Sequence, residues 1–200
     1  MSEIKIVVTG GPSGGKTTLI EVVQKDLASQ VAVVPESASI LYRGGFPRKA
    51  TAIGKIHAQR AICFVQREIE DLITAENKNK AIVCDRGSLD SIAYWPGDED
   101  DFYQSLKTTR EIELARYQWV IHLDTAAPQS FDVTNPVRTE NHKEALELNA
   151  LIKEAWSGHP QRITIPHIDN FLEKITLAET VIGLILKETP YSLICQQLRL

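Results

Sequence analysis

Short runs of β-branched residues alternate with longer stretches of helical period along this chain. Ile4–Thr9 (Ile-Lys-Ile-Val-Val-Thr) reads as a buried parallel strand. From Thr17 to Ala28, apolar residues at Leu19, Ile20, Val22, Val23 and Leu27 follow helical spacing. Val31–Pro35 is a second strand, and Arg43–Pro47 (Arg-Gly-Gly-Phe-Pro) a loop. Thr51 to Glu76 forms a long helix, with Ile53, Ile56, Ile62, Val65, Ile69, Leu72 and Ile73 mostly three or four apart. A third strand follows at Ala81–Cys84, a helix from Asp100 to Arg116, and a fourth strand at Trp119–Leu123. Thr125 to Thr139 has two prolines and no period, so it reads as a loop. Then come a helix from Glu140 to Trp156, a fifth strand at Arg162–Ile165 and a helix from Asn170 to Lys187. Pro190 stops that helix, and Tyr191–Leu200 carries no assignment. Strands alternating with helices define an α/β domain with a mainly parallel sheet.

The turn after the first strand reads Gly-Gly-Pro-Ser-Gly-Gly-Lys-Thr over residues 10–17 and fits G-x-x-x-x-G-K-[ST] without mismatch. Strand, glycine turn and helix are the context this phosphate-binding loop requires. A polyphosphate sheds its water only where several N–H donors converge. Gly10, Gly14 and Gly15 permit that approach, and the helix start adds unpaired amides and a positive dipole end. The expected nucleotide-binding set is Gly11, Pro12, Ser13, Gly14, Gly15, Lys16, Thr17 and Thr18. Lys16 supplies charge to the β- and γ-phosphates, and the Thr17 hydroxyl can ligate Mg²⁺. The donor is ATP or GTP; Asp169, Asn170 and Phe171 after the fifth strand are where its base is expected.

Ligands of open α/β sheets sit beyond the carboxyl ends of the strands. Glu36 follows the second strand, Asp85-Arg86-Gly87 the third and Asp124 the fourth. Asp85 closes an apolar strand as a Walker B aspartate does and can hold Mg²⁺, the alternative being a turn or cap aspartate. Arg86 suits a transferred phosphoryl, or a surface salt bridge. Glu36 can orient an acceptor hydroxyl and take its proton, or cap the next segment. Arg138, in the irregular stretch, can close over the phosphates as a lid arginine; Arg43 and Arg48 are weaker candidates. The expected catalytic set is therefore Lys16, Glu36, Asp85, Arg86 and Arg138, with Thr17 and Asp85 at the metal. His57, Arg60 and Gln66 on the long helix can read an acceptor or form a solvated face. Tyr42, Phe46, Tyr94 and Trp95 can stack on a ring or pack. His122, on a buried strand, reads as a hydrogen-bonded core histidine, and Asp98–Asp101 as a helix-starting acidic cluster.

The chain has 200 residues and a net charge of −4, which suits one globular unit without a broad nucleic-acid surface. No stretch has the length of a membrane span, and the first strand is too short for a secretory leader, so the chain reads as cytoplasmic. Cys63, Cys84 and Cys195 are odd in number and widely spaced, as free thiols are. A homodimer stays open.

Gly10–Thr18, Val33-Val-Pro-Glu36, Asp85-Arg-Gly87 with Asp90, and Val137-Arg-Thr-Glu140 together resemble the small P-loop proteins known as AAA-domain or ATP-binding proteins. These are similar to deoxynucleoside, thymidylate and nicotinamide riboside kinases. The resemblance implies a three-layer P-loop fold over residues 1–187, with five parallel strands in order 2-3-1-4-5, a lid near 125–139 and a tail at 188–200. It implies transfer of a γ-phosphoryl to a small molecule, with Glu36 as base, Asp85-Arg86 serving acceptor and phosphates, and Arg138 in the lid. The chain lacks the length for the helical lid domain of ring-forming AAA machines. A regulatory nucleotide switch without an acceptor is the alternative. The absence of Asn-Lys-x-Asp after a strand disfavours a GTPase, and the acidic balance disfavours a polynucleotide kinase.

Overall fold

In the computed structural model, residues 4–126 and 142–200 are described. The five strands are β1 (Lys5–Thr9), β2 (Val31–Val34), β3 (Ala81–Asp85), β4 (Trp119–Leu123) and β5 (Arg162–Ile165). They form one parallel sheet in the order β2-β3-β1-β4-β5, as the resemblance implied. Central β1 pairs Val7 with Cys84 on one side and with Val120 on the other.

Both faces of the sheet are covered, which is why its strands read as continuous apolar runs rather than alternating ones. Ile6 and Val8 point to one face, where α1 (Lys16–Asp26) and α7 (Phe171–Leu186) contribute Leu19, Val23, Ala178 and Ile182. Val7 points to the other face, against Cys63, Phe102, Ile152 and Trp156. These come from α3 (Ala52–Glu76), α4 (Glu99–Leu106), α6 (described over His142–Ala155) and the residue that follows it. Short α2 (Ser37–Arg43) and a 3₁₀ turn at Ser88–Tyr94 complete that layer near the strand ends.

Two readings of the sequence change. The expected single helix Asp100–Arg116 is two, α4 and α5 (Arg110–Ala115). The break has a local cause: Lys107 turns left-handed at φ 51°, and Thr109 restarts the helix by accepting from the Ile112 amide. Tyr191–Leu198, unassigned from sequence, is α8, begun by Pro190. Its Ile194 is fully buried with α7 and β4 residues, and the Tyr191 hydroxyl donates to Arg162 O at 3.1 Å. Asp98 behaves as read, capping α4 by accepting from the Asp101 amide at 2.8 Å. Cys63 and Cys84 are buried free thiols, and Cys195 is free and half-buried. Among the described residues no helix is long and apolar enough to cross a membrane.

Candidate active site

A cleft of about 890 Å³ opens where the strands end. One wall is the loop after β1. Gly10 sits at φ 126°, and a Cβ there would stand 2.1 Å from Leu123 O. At Gly11 it would stand 2.2 Å from Thr125 Oγ1 and 2.7 Å from Asn149 Cβ. The loop is pressed onto the end of β4, and only glycine fits that approach. No side chain caps α1, so its first amides have no side-chain acceptor, and Gly15 to Thr18 line the cleft. Lys16 is buried, with Nζ donating to Gly10 O (2.8 Å) and Gly11 O (2.7 Å). Burial and then the Arg86 charge push its ammonium down to about 7 against the pull of Asp85, Asp90 and Glu36. A polyphosphate beside it reverses that, because added negative charge favours the protonated amine.

The loop is tethered from behind by residues that sequence reasoning did not single out. Asn149 Oδ1 accepts from Gly11 N at 2.9 Å and lies 3.0 Å from His122 Nε2. Asn149 Nδ2 donates to Asp124 Oδ1 at 2.9 Å. Lys174, almost wholly buried, donates to Gly14 O at 2.9 Å and to Asp124 O at 2.6 Å. Asp124 is therefore no free rim carboxylate. His122, Asn149 and Lys153 outweigh its burial and hold it well below the usual range. His122 is the buried, hydrogen-bonded core histidine its strand position suggested.

The facing wall gathers charged groups from β2, β3 and the 3₁₀ turn. Arg86 takes the left-handed φ of 71° directly after β3, which turns its side chain across the strand ends. Its Nε donates to Glu36 Oε1 at 2.6 Å and its Nη1 to Asp90 Oδ2 at 3.0 Å. Asp90 is 3% exposed and fully engaged: its Oδ1 accepts from Thr9 Oγ1 (2.6 Å) and Trp156 Nε1 (2.7 Å). Glu36 begins α2, but its carboxylate makes no capping bond; it accepts from Arg86 and from the Ser39 hydroxyl. Burial would raise its carboxyl, and Arg86 with Ser39 reverses the balance, leaving it lowered and ionised at neutral pH.

Asp85 lies between the walls. Burial, then repulsion from Glu36, pushes its carboxyl up to about 6. It accepts no hydrogen bond from any described residue, and the next helical turn is begun by Gly87. Asp85 and the exposed Thr17 both line the cleft and offer hard oxygen ligands. Among the described residues no cluster of three His, Cys, Asp or Glu could hold a metal by itself. The two oxygen ligands beside the phosphate loop suit Mg²⁺, which takes one or two protein oxygens and completes its shell with phosphates and water.

Other candidates separate. Tyr42, Arg43, Arg48 and Tyr94 line the cleft, with Arg48 5.0 Å above the Tyr42 ring. Phe46 does not line it. Trp95 packs edge-on against Phe102 at 5.4 Å and belongs to the core. On α3, His57 is exposed and Arg60 half-buried, and neither lines the cleft, whereas Gln66 does. Gln59 lines it too and was missed, although it lies one helical turn before Cys63 on the buried face. Asp169 and Phe171 lie at the cleft beside the P-loop; Asn170 is spent capping α7 through the Leu172 and Glu173 amides. Arg138 falls outside the described residues.

A sheet of this order, with a P-loop after its central strand, defines a P-loop nucleotide-binding domain of kinase-like fold. Residues 5–173 match the AAA_28 family, described as an AAA domain, and the chain belongs to it. Among solved structures it is similar to thymidylate kinase from Ehrlichia chaffeensis, at 13% identity and a TM-score of 0.60 over 93% of this chain and 100% of that one. No curated protein matches in sequence.

Proposed function

We propose that this protein is a phosphotransferase. It moves the γ-phosphoryl of ATP or GTP to a hydroxyl or phosphate of a small molecule, a nucleoside, nucleotide or related metabolite. The unit that carries the reaction is residues 1–187. The observation behind this reading is the Glu36–Arg86–Asp90 cluster facing the P-loop across one cleft. A domain that only binds a nucleotide has no need of such a base, and dependence of ADP release on an acceptor separates transfer from hydrolysis.

In this mechanism the loop Gly11 to Thr18, through the amides that follow Pro12, and the Lys16 ammonium grip the phosphates. Thr17 and Asp85 would hold Mg²⁺, which supplies charge neutralisation on the phosphate oxygens. Glu36 Oε1 accepts the hydrogen of an acceptor hydroxyl and orients its oxygen toward the γ-phosphorus. Arg86 keeps Glu36 ionised and presents its guanidinium edge to the transferring group. Arg138 acts as the lid arginine.

The test is acceptor-dependent ADP release over a panel of nucleosides, nucleotides and vitamin-like alcohols. Glu36→Gln keeps the shape and removes the base. It should lower turnover by about 100-fold or more while Mg-ATP affinity changes less than about threefold. Full turnover in that variant removes Glu36 from the chemistry. ADP release that no acceptor accelerates favours a nucleotide switch instead.

A further inference from the structure

Five positions on α3 are buried; beside Ala58, four of them, Gln59, Cys63, Gln66 and Glu70, form one stripe at helical steps of four, three and four. This stripe faces the sheet, yet three of its four members are polar. Glu70 is fully buried and saturated. Its Oε1 accepts from Tyr117 Oη (2.7 Å) and Gln66 Nε2 (3.0 Å), and its Oε2 from Arg116 Nη2 (2.8 Å) and Lys5 Nζ (3.4 Å). Buried polar groups cost stability unless paired, so a network this complete holds its members in one geometry.

Gln66 transmits that geometry to the cleft. It is 2% exposed. Its Nε2, fixed by Glu70, also donates to Arg86 O at 3.2 Å. Its Oε1 accepts from Ser37 Oγ at 2.9 Å. One amide therefore ties the backbone of Arg86 to the residue that follows Glu36. Arg86 needs such a tie, because its left-handed φ of 71° is disfavoured for a residue with a side chain. Its own N–H donates to Val8 O at 3.0 Å, so the peptide units on both sides are held.

We propose that Gln66 is a positioning residue that sets the Glu36–Arg86 pair, locking the ends of β2 and β3 together from a rigid anchor at Glu70. The proposal rests on the phosphotransfer reading above for its effect on rate. Its effect on geometry stands apart from that reading. A merely structural residue would lower stability without moving the pair. A positioning residue moves the pair and lowers kcat, with nucleotide binding on the opposite wall spared.

The experiment compares wild type with Gln66→Met, of similar length and apolar, and with Ser37→Ala, which cuts only the β2 arm and keeps the core intact. The first readout is the Arg86 Nε–H resonance in ¹H–¹⁵N spectra, assigned by its loss in Arg86→Lys. In wild type it should be shifted by the Glu36 carboxylate, to which Nε donates at 2.6 Å, and should exchange slowly with water. Gln66→Met should speed that exchange by about tenfold or more, and Ser37→Ala by a few-fold. Mg-ATP affinity should stay within about threefold in both, and kcat in Gln66→Met should fall about tenfold or more. The double variant should fall no further than Gln66→Met, because both substitutions cut one clamp. An unmoved Arg86 signal overturns the proposal; so do additive losses, or a moved signal with wild-type kcat. If wild type transfers to no acceptor, the phosphotransfer reading fails, and the Arg86 signal alone decides the clamp.

Discussion

Asp85 should cost the empty protein stability, and removing its charge should return it. The carboxyl is held at about 6 against an ordinary 3.8, chiefly by burial and then by Glu36. Between those two values the folded chain keeps a proton that the unfolded chain has released, so stability falls as pH rises through the window. Above about pH 6 the full cost is present; below the ordinary value it is gone. A gap of about two pH units at 1.36 kcal/mol each bounds the cost near 3 kcal/mol. Asp85→Asn keeps the shape and deletes the charge. At pH 8 in EDTA its Tm should exceed wild type by up to roughly 6–12 °C, using about 2–4 °C per kcal/mol for a chain of this size. The advantage should shrink as pH falls toward 4. The same variant should lose most of its Mg-ATP affinity, since the charge that burdens the free cleft is the one proposed to hold the cation. Differential scanning fluorimetry from pH 4 to 8 reads the first effect and calorimetry the second. A variant no more stable than wild type at pH 8, or an offset indifferent to pH, refutes this electrostatic account.

Lys16→Ala should weaken Mg-ATP binding by about 100-fold, measured by calorimetry, because it deletes a desolvated charge on the phosphates. Gly11→Ala should weaken it as well, by about tenfold or more, since its Cβ must displace Thr125 and Asn149 from the back of the loop. Ile194→Ala should destabilise the protein by about 2–4 kcal/mol in urea titrations, as α8 loses its fully buried anchor, with nucleotide affinity unchanged.

The parts of the site that were legible are those whose chemistry constrains neighbouring residues. Residues 10–17 must be small and amide-rich in a fixed spacing, and the strand and helix around them carry their own periods. Glu36 and Arg86 could be placed because topology puts whatever follows a parallel strand at the rim. The tethers were not legible, because Asn149 and Lys174 reach the loop from 138 and 160 residues away. A signal existed for Lys174, which shares the core stripe of α7 with Ala178, Val181 and Ile182. Similarly, α3 read as an apolar helix by its isoleucines; Ile56, Ile69 and Ile73 do pack partly buried against the core, but Ile53 and Leu72 are exposed and the buried residues are Ala58, Gln59, Cys63, Gln66 and Glu70. Hydrophobic period finds the face of a helix that meets a greasy core. It misses a face that meets a charged cleft. The break at Lys107 was missed because residues on both sides keep helical propensity, although paired threonines before Arg110 and Glu111 are a capping signal.

The Trp156 indole, wholly enclosed, shares Asp90 with the Arg86 guanidinium. The protein thus carries an intrinsic fluorophore one hydrogen bond away from the charges that face its ligand. With Trp95 and Trp119 replaced by phenylalanine, a single emitter remains. Its wavelength and lifetime should then follow occupancy of the cleft in real time, without a dye or a radiolabel.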